Sequence, residues 1–174
     1  ATSAGNAWAR RTFSVSPSTF IAMLLFVWMS SRICPRISPD GRTLYWCDSV
    51  TPQIMACDYD PERASTANVR VFTTLANRAA EPDGSAVDAD GRVWNAQWRA
   101  SQVSCYGADG TLLQVQPVPV KNPTCVAFGG PDLRTLYVIS SQLDHTPEAL
   151  AASPHAGSLF SARQDHPGLP ESRV

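Results

Sequence analysis

The sequence predicts an all-β fold, a β-propeller of about three four-stranded blades that makes up roughly half of a complete ring. An internal repeat is the first sign. Ser38-Pro39-Asp40-Gly41-Arg42-Thr43-Leu44-Tyr45-Trp46, Asp88-Ala89-Asp90-Gly91-Arg92-Val93-Trp94 and Gly130-Pro131-Asp132-Leu133-Arg134-Thr135-Leu136-Tyr137-Val138 each read as a tight polar turn, an arginine and an apolar-aromatic run. Arg42, Arg92 and Arg134 lie 50 and then 42 residues apart, which suits a four-stranded blade of about 40–50 residues. The second sign is that aliphatic, aromatic and threonine residues come in short runs rather than helical stripes. The third is punctuation: 14 prolines and 10 glycines mark frequent turns. Asp-Gly at 40–41, 90–91 and 109–110 supplies the positive φ angles of short hairpins.

Residues 1–37 form a divergent N-terminal segment, and residues 38–174 form the partial propeller domain. Residues 20–29 are an unbroken apolar run with Arg10 and Arg11 upstream. The run falls short of the about 20 residues that span a bilayer, and no small-x-small cleavage site follows it. It reads as an apolar stretch belonging to no blade. First strands are expected at 33–37, 85–88 and 125–128, and second strands at 44–47, 93–98 and 136–140. Third strands follow at 53–57, 102–106 and 158–162, and fourth strands at 69–73 and 112–115. The last fourth strand would only be starting at Arg173-Val174. In a blade the first strand lines the central channel, so a ligand there is met by residues that begin first strands. Three blades leave open sheet edges, which natural proteins avoid, and a fragment of a longer ring is the expected explanation.

Net charge is −1 and Lys121 is the only lysine. That balance gives no electrostatic footprint for nucleic acid, and no membrane partner is expected. The five cysteines, Cys34, Cys47, Cys57, Cys105 and Cys125, form no C-x-x-C pair. An odd, widely spaced set reads as reduced, mostly buried thiols in a cytoplasmic protein. No two cysteines or histidines stand at zinc-ligand spacing.

Four ordered stretches carry a resemblance: Ser38 to Asp48, Asp58-Tyr59-Asp60-Pro61, Pro82-Asp83-Gly84 followed by Val87-Asp88 and Gly91, and Pro123 to Leu133. Pro154-His155-Ala156-Gly157, Leu159-Phe160 and Gly168-Leu169-Pro170 agree with them. From about Ser38 onward the chain resembles the regucalcin/gluconolactonase family, particularly its bacterial aldonolactonases. The resemblance implies a six-bladed propeller that opens sugar lactones with water, using one divalent cation in the channel. Calcium or zinc is expected, with magnesium or manganese as alternatives. It implies that Asp83, in the Pro-Asp-Gly motif, is a metal ligand and the proton acceptor. The family's asparagine ligand falls on Ile33, eight residues before Gly41 as Asp83 is eight before Gly91. Isoleucine has no donor atom. The family's glutamate ligand has no counterpart, and the match stops abruptly before Ser38, as after a frameshift or gene fusion.

The chemistry suits the residues. A carboxylate can accept a proton from water attacking a lactone carbonyl, and a cation can polarise that carbonyl. On its local pattern alone, Asp83 is a turn-forming aspartate before glycine. Thr124 is its equivalent in the next blade by the pairing of Pro82 with Pro123, and Asn122 lies beside it. Either could touch a sugar hydroxyl or cap a turn. Trp94, Gln97 and Trp98 read as packing between blades, and Asn95, on the other face, is left open. Asp58, Asp60 and Glu62 read as a solvated strand end, since they lack the EF-hand spacing. Three functional readings result: a metal-dependent lactonase acting on glucono- or arabinono-lactones, a truncated non-catalytic propeller, and a calcium-binding or interaction module.

Overall fold

The computed structural model describes residues 35–170. The apolar run at 20–29, Ile33, Cys34 and the last four residues lie outside the described residues. The described chain is nearly all β. The first sheet has the order β1 (Arg36–Ile37), β2 (Thr43–Cys47), β3 (Gln53–Asp60) and β4 (Ser65–Thr74). The second runs β5 (Glu81–Val87), β6 (Val93–Trp98), β7 (Gln102–Tyr106) and β8 (Leu112–Pro117). The third comprises β9 (Pro123–Gly129), β10 (Thr135–Ser140) and β11 (Leu159–Arg163). Each sheet is an antiparallel meander, as a propeller blade requires. Every expected strand within the described residues is present.

The repeated turns work by one backbone device. The residue at the fourth turn position is left-handed in all three blades: Gly41 at φ 71°, Gly91 at φ 79° and Leu133 at φ 55°. Its amide donates to the carbonyl of Ser38, Asp88 or Gly130. Glycine takes that conformation without steric cost, whereas Leu133 does so against its own side chain.

Burial sorts the strands radially. β8 and most of β4 are exposed, as outermost strands are. All six residues of β6 are buried, because it is an inner strand of the middle blade. Trp94, Ala96, Ala86 and Val103 of the second sheet cluster with Val126, Leu136 and Val138 of the third. Trp94 meets Phe128 edge to face at 5.7 Å. Tyr45 and Ala56 of the first sheet cluster with Val87 and Val93. Trp94, Gln97 and Trp98 are all buried, in keeping with a packing role.

One element was not expected. Residues 147–152 form a short helix, α1 (Pro147–Ala152), between β10 and β11. The Thr146 hydroxyl accepts the Ala149 amide, and proline occupies the first turn. The helix buries nothing, so it has no apolar stripe, and only its cap could have announced it.

Cys57 and Cys105 are buried thiols, consistent with the reduced state expected. Burial pushes the Cys105 thiol up to about 12, and the neighbouring Asp88 carboxylate adds to the rise. Burial also raises Cys57. The sign of the consequence is fixed: a raised folded-state value stabilises the fold fully below the unfolded thiol's value and loses that contribution as pH climbs toward 12. The midpoint of urea unfolding should therefore fall between about pH 9 and pH 12. Cys105→Ala should flatten that fall.

Candidate active site

Asp83 lies on β5, the innermost strand of its blade. β5 touches β1 and β2 on one side and β9 on the other, so it occupies the axial position that the repeat predicts. The Pro-Asp-Gly motif, read from the sequence as a turn, is instead a bulge inside this strand. Pro82 pairs with Gln97 and Ser85 pairs with Asn95, so Asp83 and Gly84 together face Ala96 alone. Bulges re-aim side chains, and they concentrate beside active sites.

Four side chains hold the bulge by its carbonyls. The Asp83 carbonyl accepts from Asn95 Nδ2 at 2.7 Å and from the Cys47 thiol at 3.1 Å. Ser49 Oγ donates to the Pro82 carbonyl at 3.3 Å, and Arg36 Nε to the Ser85 carbonyl at 2.6 Å. Three of the four donors come from the first blade. They replace the ladder bonds that a bulge forfeits. Asp83 as a residue is half-buried, neither sealed in the core nor loose on the surface.

The next blade repeats the feature. Cys125 pairs with Ile139 and Pro123 with Ser140, leaving Thr124 as the extra residue. Thr124 therefore stands on β9 where Asp83 stands on β5, as the pairing of Pro82 with Pro123 implied. It too is half-buried, and its hydroxyl donates to the Ile139 carbonyl at 3.3 Å. The two bulges abut. A Cβ on Gly84 would lie 2.6 Å from Cys125 Sγ and 2.8 Å from Cys125 Cα. Only glycine lets the strands come this close.

Asn122 is placed differently. It is fully buried, and its Nδ2 donates to the Leu143 carbonyl at 2.8 Å. Its backbone carbonyl accepts the Ser141 amide. Those bonds are the turn-holding alternative. Asn95, left open by the sequence, is the residue that pattern reading missed as part of the site. Its signal was an amide on a strand whose neighbours, Val93, Trp94 and Ala96, are core residues.

The acidic cluster is solvated as expected. Asn68 and then Arg70 hold the Asp58 carboxyl below its ordinary range, and Arg63 does the same for Asp60. Among the described residues no three histidine, cysteine, aspartate or glutamate side chains converge as a metal site. Asp83 is a carboxylate donor there, and calcium would need further oxygens, six or more in all. No helix among them is long and apolar enough to cross a membrane.

Residues 34–142 match the family model described as the SMP-30/gluconolactonase/LRE-like region. The chain is 43% identical over 136 residues to L-arabinolactonase of Azospirillum brasilense, covering 78% of this chain and 44% of that protein. It is 36% identical to 6-deoxy-6-sulfogluconolactonase of Pseudomonas putida, covering 77% of this chain and 46% of that one. The crystal structure of a calcium-binding protein, regucalcin, from Agrobacterium tumefaciens superposes with a TM-score of 0.74 at 33% identity, covering 83% of this chain and 49% of that one. The chain thus spans about half the length of the relatives it matches. With the blade repeat, the axial bulge and the matched residues in agreement, this chain belongs to the SMP-30/gluconolactonase/LRE-like family.

Proposed function

We propose that this protein hydrolyses sugar lactones of the aldonolactone class, with Asp83 as the general base. The observation that carries the reading is the bulge at Asp83, a half-buried residue on the axial strand clamped by its carbonyls. Asp83 takes a proton from water as the water oxygen bonds to the lactone carbonyl carbon. The tetrahedral adduct collapses, the ring C–O bond breaks, and the proton passes to the departing ring oxygen. The product is the open hydroxy acid. Thr124, at the abutting bulge, would meet a sugar hydroxyl.

A divalent cation belongs to the proposal, with calcium or zinc first and magnesium or manganese as alternatives. When bound it would polarise the carbonyl. Asp83 would be one of its ligands. Among the described residues no three histidine, cysteine, aspartate or glutamate side chains converge, which favours a second reading, a propeller portion that does not catalyse. Lactone opening releases acid, so a pH-indicator assay with glucono- and arabinono-lactones separates the two. We expect hydrolysis that rises on adding calcium, zinc or manganese and falls with a chelator. Rates equal to buffer under every metal would support the second reading.

A further inference from the structure

We infer that Asn95 is a positioning residue that fixes the Asp83 bulge, an inference that rests on Asp83 being the reacting carboxylate. Asn95 is fully buried in the middle of β6. Its Nδ2 donates both to the Asp83 carbonyl at 2.7 Å and to Ser85 Oγ at 3.0 Å. It therefore bridges the residues on either side of Gly84. Its Oδ1 is buried with no hydrogen-bond partner. Flipping the amide would set that oxygen against the Asp83 carbonyl oxygen, so the orientation is fixed by the bond it makes.

An orphaned buried acceptor carries a desolvation cost. A leucine or valine at position 95 would avoid that cost, in a strand where Val93, Trp94 and Ala96 are all packed. Against that cost stand the two bonds that its Nδ2 donates. What the amide gives in return is rigidity at the one place where the axial strand leaves its ladder. The Cys47 thiol, which donates to the same carbonyl, is a weak donor, so the amide is the stronger of the two restraints on that carbonyl. Reacting groups must be held to a fraction of an ångström, and about 1 Å of misplacement can cost a hundredfold in rate.

The test is Asn95→Leu, with Asn95→Thr as the variant that keeps a hydroxyl donor. Three quantities are read: thermal unfolding midpoint, hydrogen exchange of the peptide spanning residues 81–87, and kcat and KM for lactone opening. For Asn95→Leu we expect a cooperative unfolding transition that shows the protein folded, exchange at 81–87 at least tenfold faster, and kcat at least tenfold lower at unchanged KM. Asn95→Thr should recover part of both losses. If Asn95→Leu fails to fold, Asn95→Ala takes its place, and exchange at 81–87 equal to the parent in that variant overturns the inference. Unchanged exchange or unchanged kcat in a folded Asn95→Leu protein overturns it equally. A parent protein that opens no aldonolactone under any metal defeats the lactonase reading instead, and the exchange measurement still decides whether Asn95 restrains the bulge.

Discussion

Asp83→Asn should lower kcat for lactone opening at least a hundredfold while leaving the thermal unfolding midpoint close to that of the parent. General-base catalysis by a positioned side chain contributes typically 10²–10⁴-fold, and an amide cannot accept the proton. The substitution keeps size and shape. It also leaves the supports in place, because Asn95 and Cys47 bind the backbone carbonyl of residue 83 and not its carboxylate. Loss of rate is therefore separable from loss of fold, which is rare for a residue inside a core strand. Initial rates with saturating lactone, beside a melting curve, make the check. Full activity in Asp83→Asn would remove this carboxylate from the mechanism and move the search to Thr124 and the rest of the channel lip. A collapse of the melting curve would show that the carboxylate itself supports the fold.

The blades were legible because their signals are local. A turn, an arginine and an alternating run recur at blade length, and hairpin ladders follow from them without long-range information. What the sequence hid is what depends on neighbours in space. Pro82-Asp83-Gly84 has the composition of a turn, yet β6 continues alongside it and draws it into a strand as a bulge. Gly84 looks like turn punctuation, but its function is to admit Cys125 of the next blade. Asn122 and Asn95 look alike as isolated polar residues. One anchors a loop to Leu143, and the other braces the residue assigned as the base. Neither assignment could be made before the strands were paired.

The repeat also conceals a difference that the second large prediction uses. Asp88 and Asp40 sit at different positions of equivalent turns in neighbouring blades, but Asp88→Ala should cost about 3–5 kcal/mol and Asp40→Ala far less. Asp88 is fully buried. Its Oδ1 accepts the amides of Asp90 and Arg92 at 3.0 and 2.9 Å, and its Oδ2 accepts Trp94 Nε1 at 3.0 Å. Removing it strands the indole N–H of a tryptophan that is itself buried in the main core. It also leaves Arg92, 4.0 Å from Oδ2, with Asp90 as its remaining ion-pair partner. Asp40 makes a comparable pair of bonds, to Ser38 Oγ and the Arg42 amide. Those groups lie at the surface, so water takes over when the carboxylate goes. Against a typical domain stability of about 5–15 kcal/mol, the first change brings the protein near unfolding at room temperature and the second does not. Urea titrations of the two variants decide the matter. Equal losses would mean that turn geometry governs, and that burial of the Asp88–Trp94 pair adds nothing.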